Sequence, residues 1–379
     1  MTETRHHRPM TENEMHPSDV VRHLYVHFPF CARICPYCAF YKTRANAVEV
    51  SRFCQALVRE LQETTDLLPS TIYFGGGTPT ALKTSQLEGI LSAFRQRLDL
   101  SELNEWTIEA NPGSVSPRKA ALLKKFGINR ISLGVQSWDQ DLLNLLGREH
   151  NAAQAEESFR IFRNAGFSNI SIDLMFALPG QTETQWHDSL RKTVTLEPEH
   201  ISTYCLTYEE DTEFLARYER GEFLANEETE AGFLEMAMTT LEQAGYEHYE
   251  VSNYARPGFR SEHNQAYWRG EDYVGLGPSA FSTRGFERWQ NIADHHQYTR
   301  RLFANESPVA SIEKLTPEMK RTERIALGLR TAEGITADTI SIHRIHALSR
   351  AGLIRHGPDR VVLTSAGKLL ADSIAEELL

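Results

Sequence analysis

Between Leu24 and Leu206 the chain alternates two hydrophobic rhythms. Short runs rich in β-branched and aromatic residues recur at Leu24–Phe28, Thr71–Phe74, Glu105–Ala110, Arg130–Gly134, Asn169–Met175 and His200–Leu206. Between them, apolar residues recur at three- and four-residue spacing over Ala47–Leu67, Ser85–Leu98, Pro117–Phe126, Ala152–Ala165 and Thr184–Leu196. That spacing is the period of a helix with one buried face. Two of the helical runs close on a glycine turn, at Phe126-Gly127 and Ala165-Gly166, a common way to stop a helix. Strand–helix alternation predicts an α/β fold with a parallel sheet and right-handed crossovers. Six such units predict a partial (β/α)6 barrel rather than a closed eightfold one, with the chemistry just past the C-terminal ends of the strands.

After Leu206 the alternation breaks down. Glu209–Gly221, Glu227–Gly245 and Asp294–Phe303 read as helices, and His248–Val251 and Tyr273–Gly275 as short strands. Gly275 to Ser282 reads as a Gly/Pro-rich loop placed to close over a site. From Thr316 the order is helix (Glu318–Leu329), helix (Ala337–Ala351), a hairpin turning at Gly357-Pro358-Asp359, and a final helix (Ser365–Leu379). This order resembles a winged-helix module. The sequence thus divides into a disordered arm (1–23), the barrel (24–210), an extension (211–310) and a winged-helix-like C-terminal domain (311–379). The arm is polar and lacks the apolar core of a signal peptide.

A formal charge of −11 argues against nucleic acid as a partner. The last helix carries Asp372, Glu376 and Glu377, so the winged module reads as a packing element rather than a nucleic-acid reader. No uncharged apolar run reaches the about 18 residues of a membrane span, and the chain reads as cytoplasmic. The strongest chemical signal is the cysteine usage. Of five cysteines, Cys31, Cys35 and Cys38 fall in FCARICPYCAF at C-x3-C-x2-C spacing, just past the first strand. Such a cluster points to a metal site rather than a disulfide. Three thiolates are one short of a closed zinc site and one short of the four that usually hold a cubane. The open readings are a four-iron cluster with one exchangeable position, a zinc site completed by a distant His, or plain core cysteines. Cys54 and Cys205 stand alone and read as small buried hydrophobes.

Past the later strands lie Gly75-Gly76-Gly77-Thr78, Glu109, Gln136 and Asp173, with Arg148 after a short helix. Glycines let a backbone approach a ligand closely. A polar residue at one strand end is ordinary, whereas a polar residue at five successive ends points to a ligand site.

HFPFCARICPYCAFY, YFGGGTPT, IEANP, RISLGVQS, LGREH and IDLMFALPGQT, in this order, resemble the radical S-adenosylmethionine (SAM) family of oxygen-independent coproporphyrinogen III oxidase and its relatives. The resemblance implies that Cys31, Cys35 and Cys38 ligate a [4Fe–4S] cluster whose open iron SAM chelates. It implies that Tyr25 and Tyr37 flank SAM, that Gly76, Gly77 and Thr78 meet its methionine end, and that Glu109, Gln136, Arg148 and Asp173 hold the rest. Two positions depart from the common pattern: Ala39 stands where Asp is usual and Ala177 where Gly is usual. The oxidases carry a fourth cysteine at the position of Phe40 and a longer arm before the first strand. Both departures match the HemW branch, haem chaperones that resemble the oxidase. HNQAYW, His263 to Trp268, resembles that branch's H-N-x-x-Y-W signature. His263 and Tyr267 are therefore the haem candidates, because His is a common axial ligand of haem iron and Tyr a rarer one. The resemblance implies haem as cargo and a haem-accepting protein, at a membrane or not. It assigns the cluster and SAM a structural or regulatory part, such as promoting a homodimer. The alternative is the decarboxylase itself, in which a 5′-deoxyadenosyl radical abstracts hydrogen from a propionate side chain.

Overall fold

The computed structural model describes residues 20–44, 46–337 and 340–379. Of the expected disordered arm, residues 1–19 lie outside the described residues, and Val21–His23 belong to the first strand. Six parallel strands form the centre: β1 (Val21–Phe28), β2 (Leu67–Gly76), β3 (Glu105–Ala110), β4 (Arg130–Gln136), β5 (Ile170–Phe176) and β6 (His200–Cys205). They alternate with α1 (Ala47–Glu63), α2 (Thr84–Arg97), α3 (Pro117–Phe126), α4 (Gln140–Leu145), α5 (Ala152–Asn164) and α6 (Glu183–Thr195). The starts are written in the sequence. Asn46, Asn151 and Thr182 cap α1, α5 and α6, each with Glu or Gln three residues on to close a capping box. The helix α1 ends at Glu63 rather than Leu67, because Asp66 turns the chain at φ 59° and feeds β2.

Each central strand has two unlike faces. Leu24, Val26, Phe28, Ile72, Phe74, Ile108, Ile131 and Ile172 face the helices and join one apolar core with Phe53, Leu91, Phe94 and Leu123. Phe74 meets Phe28, Phe94 and Trp106 at ring-centroid distances of 5.0–5.7 Å, and such pairs add about 0.5–1.5 kcal/mol each beyond their burial. The alternate positions face inward and are polar: His23, Tyr25, Thr71, Tyr73, Glu105, Glu109, Arg130, Ser132, Ser171, Asp173 and His200. The outer layer therefore supplies cohesion, and the lumen is left for chemistry.

Beyond β6 come α7 (Glu213–Glu219), α8 (Glu227–Gln243), β7 (Glu247–Glu250), β8 (Asn253–Ala255), α9 (Glu262–Trp268), β9 (Tyr273–Leu276), β10 (Phe281–Arg284), β11 (Glu287–Asn291), α10 (His295–Phe303) and β12 (Val309–Lys314). These strands extend both edges of the central sheet, which has twelve strands in the order β12-β11-β10-β9-β1-β2-β3-β4-β5-β6-β8-β7. Strand β9 pairs parallel to β1, and β10 to β12 follow as an antiparallel ribbon. The loop from Gly277 to Ala280 does not close over the barrel mouth. It packs outward on α1, where the buried Glu60 accepts hydrogen bonds from Gly277 N (2.8 Å), Asn291 Nδ2 (2.6 Å) and Tyr298 Oη (2.5 Å). Burial pushes that carboxyl up to about 7.

The tail comprises α11 (Pro317–Leu329), β13 (Ile335–Thr336), α12 (Ile342–Arg350), β14 (Ile354–His356), β15 (Arg360–Leu363), α13 (Ser365–Lys368) and α14 (Ala371–Leu378). It has its own three-stranded sheet and its own apolar core around Leu329, Ile345, Val361 and Ile374. The expected single last helix is broken at Leu370, which leaves helical angles at φ −120° and ψ 25°. The tail docks on β7 through Val251 N to Arg330 O (2.9 Å) and Ala332 N to Tyr249 O (2.9 Å).

Ala177, just past β5, is held at φ 58°, a left-handed conformation that costs a residue with a Cβ about 1–2 kcal/mol. A glycine, as in the pattern the sequence resembles, would avoid this strain. Ala177→Gly is expected to raise stability by about 0.5–1 kcal/mol after the entropy of the more flexible unfolded chain is subtracted. A lower urea midpoint for the variant would contradict this.

Candidate functional site

The cysteine loop leaves β1 and is closed at its base. Thr43 N donates to Pro29 O (2.7 Å) and Cys31 N to Thr43 O (3.1 Å). It is then fastened to the glycine loop after β2, with Gly77 N donating to Phe28 O (2.6 Å) and Thr78 N to Phe30 O (2.9 Å). The glycines are demanded by the chain's own packing. A Cβ on Gly76 would sit 2.6 Å from the His27 ring, and one on Gly77 2.8 Å from Phe28 O. His27 is a rigid floor for this turn. Its Nε2 donates to Tyr41 O (2.9 Å), so its Nδ1 accepts from Tyr25 Oη (3.0 Å), and burial lowers its pKa to about 4. On the far side α7 presses on the loop, with Tyr37 against Phe214 and Phe214 N donating to Pro36 O (3.2 Å).

The three cysteines line a cavity of about 440 Å³ at the C-terminal mouth of the barrel, within the range of ligand pockets. Tyr37, Gly76, Gly77, Thr78, Glu109, Gln136, Arg148 and Asp173 line the same cavity. Tyr25 does not: it lies lower in the lumen, its ring stacked on Tyr73 at 6.2 Å. Phe40 stands on the rim, 69 % exposed. Gln136 reaches the cavity because β4 ends in a bulge, with Gln136 at φ 68°, a device that re-aims a side chain.

Thr78 Oγ1 lies 3.7 Å from Cys31 Sγ and Arg148 Nη1 3.7 Å from Cys35 Sγ. Asn111 ties these two donors together, giving Nδ2 to Thr78 Oγ1 (2.8 Å) and receiving Arg148 Nη2 on Oδ1 (2.6 Å). Sequence reasoning passed over Asn111 although it stands inside IEANP, just past the end of β3. The remaining carboxylates are deeper. Glu109 accepts from Tyr73 Oη (2.8 Å) and Gly76 N (3.1 Å), and burial pushes it up to about 7. Asp173 accepts from Ser132 Oγ (2.6 Å) and Ser171 Oγ (2.7 Å).

Among the described residues no three ligating side chains are grouped to hold a single metal ion; the three thiols instead line one cavity, the lining that a cubane and its chelator would require. Burial pushes the Cys31 thiol up to about 11 and raises Cys38, so a metal must displace protons to bind here. The cation and hydroxyl beside the sulfurs suit thiolates, and the two inward carboxylates suit an ammonium or ribose hydroxyl.

His263 and Tyr267 are elsewhere. Both lie on α9, which crosses the opposite, N-terminal end of the barrel. His263 Nδ1 meets Thr71 Oγ1 (2.8 Å) and its ring stacks on Tyr73 at 5.2 Å. Five residues of extended β2 separate Thr71 from the glycine loop, roughly 16 Å. Tyr267 is 48 % exposed and packs on Trp268 and Tyr273.

Comparisons with known proteins agree with this architecture. Residues 25–193 match the model of the radical SAM superfamily. The haem chaperone HemW of Lactococcus lactis is 35 % identical over 94 % of this chain and 96 % of its own. The haem chaperone HemW of Bacillus subtilis is 36 % identical over 92 % of this chain and 97 % of its own. Among solved structures, the coproporphyrinogen III oxidase HemN of Escherichia coli superposes with a TM-score of 0.82 over 95 % of this chain and 90 % of its own, at 22 % identity. That match establishes the fold. The relatives establish the lineage: the chain belongs to the HemW family of the radical SAM superfamily.

Proposed function

We propose that this protein is a haem chaperone that holds a [4Fe–4S] cluster on Cys31, Cys35 and Cys38, holds SAM beside it, and passes haem to an acceptor protein in the cytoplasm or at its membrane face. The similarity to haem chaperones along nearly the whole chain carries the reading. The exposed Phe40, where the decarboxylases have a cysteine, supports it. Among the described residues no helix is long and apolar enough to cross a membrane, so a membrane-bound acceptor would be met from outside the bilayer. Dimerisation of the loaded protein belongs to the same proposal.

When bound, the cluster supplies one-electron chemistry and an open coordination position. The chain's own residues orient what meets it. Glu109 takes the ammonium of SAM, Asp173 a ribose hydroxyl, and Arg148 stabilises the thiolate of Cys35. Glu109 must be ionised to pair with a cation, and its carboxyl loses its proton near pH 7. SAM affinity is therefore expected to fall as pH drops below about 7, approaching tenfold per unit, and Glu109→Gln should bind weakly with that pH dependence gone. Calorimetric titration between pH 6 and 7.5 checks this; an unchanged slope in the variant would remove Glu109 from the site.

For haem, His263 offers a neutral imidazole, since burial lowers its pKa to about 3. With Nδ1 engaged by Thr71, Nε2 is the nitrogen left for iron. Trp268 Nε1 is buried without an acceptor, a donor suited to a haem propionate. Haem titration followed by absorbance should give a saturable complex. His263→Ala should weaken it at least about tenfold, the loss that even an outer-sphere partner commonly causes. Tyr267→Ala should weaken it without moving the ligand-field bands. Incubation with coproporphyrinogen III, SAM and a reductant should yield no protoporphyrinogen IX; its formation would restore the decarboxylase.

A further inference from the structure

The two ends of the barrel are joined by a short line of side chains. At the mouth, Glu109 accepts the Tyr73 hydroxyl at 2.8 Å. The Tyr73 ring lies on the His263 imidazole, centroids 5.2 Å apart and planes 29° from parallel. The His263 Nδ1 meets Thr71 Oγ1 at 2.8 Å, and the same hydroxyl meets His23 Nδ1 at 2.9 Å. His23 Nε2 then reaches Glu271 Oε2 at 2.8 Å, beyond α9 at the foot of the barrel. Tyr73 and Thr71 are two residues apart on β2, so one strand carries the two side chains that link Glu109 to His263.

The start of α9 is held by Tyr249 Oη, which accepts from Ser261 N (3.3 Å), and by Glu105. Glu105 accepts from Glu262 N (2.9 Å), His263 N (3.3 Å) and Ser261 Oγ (3.3 Å). With the helix start fixed, the freedom left to His263 is the placement of its ring, and that is set by Tyr73 on its face and Thr71 at its edge.

We infer that Tyr73 and Thr71 couple the two ligand sites, so that an occupant on Glu109 changes the haem affinity of His263. An ammonium drawn to Glu109 competes with the Tyr73 hydroxyl for the same carboxylate. A Tyr73 ring released from that bond shifts on the imidazole beneath it and re-aims Nε2. The inference rests on the haem and SAM assignments above and adds their linkage. Linkage is reciprocal: haem must change SAM affinity by the same factor.

The test uses full-length protein reconstituted with its cluster. Haem is titrated by absorbance with and without saturating SAM, and SAM by calorimetry with and without haem. The wild type should show one common factor of at least about fivefold in both directions, within the usual range of such coupling. In Tyr73→Phe the ring stack stays and the bond to Glu109 goes; in Thr71→Val the hydroxyl between the two histidines goes. Whatever either variant's own affinities, the factor should fall towards one, with iron and sulfide content unchanged. A factor of one in the wild type overturns the inference, and so does a wild-type factor retained in both variants. Wild-type protein that binds SAM but no haem under either condition sinks the chaperone assignment instead, a distinct outcome.

Discussion

Replacing Cys31, Cys35 or Cys38 by Ala should strip the protein of iron. The three sulfurs come from one loop, closed at its base by Thr43 and fastened to the glycine turn by Gly77 and Thr78, so the loop presents them as one set. A cubane has four irons, and three thiolates already leave one open; two cannot retain it. Iron and acid-labile sulfide should drop from about four per chain to near zero in each variant, with far-UV circular dichroism close to wild type. Cys54→Ser and Cys205→Ser should keep full loading. Burial pushes both of those thiols up to about 12; Cys54 packs against the apolar core, and Cys205, although it lines the same cavity from the end of β6, turns its Sγ to Leu206 O at 3.8 Å. Loss of iron on replacing Cys54 or Cys205 would break the three-cysteine assignment.

The largest loss of stability should follow Glu105→Ala. Arg130 is 2 % exposed and Glu105 is 4 % exposed, and Glu105 is the foremost opposite charge acting on that guanidinium. The same carboxylate satisfies two backbone N–H groups at the start of α9 and the hydroxyls of Ser261 and Thr107. Its removal takes the foremost negative charge away from buried Arg130 and leaves the donors it satisfied without their acceptor, each worth about 1–3 kcal/mol when buried. It also frees α9, so haem affinity should fall with stability. Glu105→Gln keeps an acceptor for the helix and removes only the charge. Chemical unfolding should therefore rank wild type above Gln and Gln above Ala. A variant Ala protein as stable as wild type would show that Arg130 is held by other groups.

The central strands and the cavity were legible because their signals are local. β3 and α3 run over the residues that the pattern predicts, Glu105–Ala110 and Pro117–Phe126. The strand-end rule brought Glu109, Gln136 and Asp173 to one cavity, although Gln136 arrives through a bulge that no periodicity announces. The antiparallel ribbon was missed because its strands are short and solvated: β12, VASIEK, is almost wholly exposed and reads as loop. HNQAYW does not read as a helix because the seven residues of α9 have no apolar period. Its start is stabilised by Glu105, more than 150 positions earlier, which no window of sequence contains. The placement of His263 at the barrel foot, away from the cysteines, follows from that same distant contact.

The pairing of β9 with β1 has a consequence for synthesis. Strands β1 to β6 are laid down side by side in the order in which they are made, so each can zip onto its predecessor as it leaves the ribosome. The outer edge of β1 must wait for Tyr273–Leu276. At about 5–20 residues per second, that is an interval of roughly ten seconds to a minute. Throughout it the strand that feeds the cysteine loop has one unpaired row of N–H and C=O groups, the kind of edge that recruits other chains. Its lumen-facing His23, Tyr25 and His27 make that edge less sticky than an apolar one. The metallocluster loop is thus born next to the last open seam of the sheet, which is the seam through which assembly factors would have access to it.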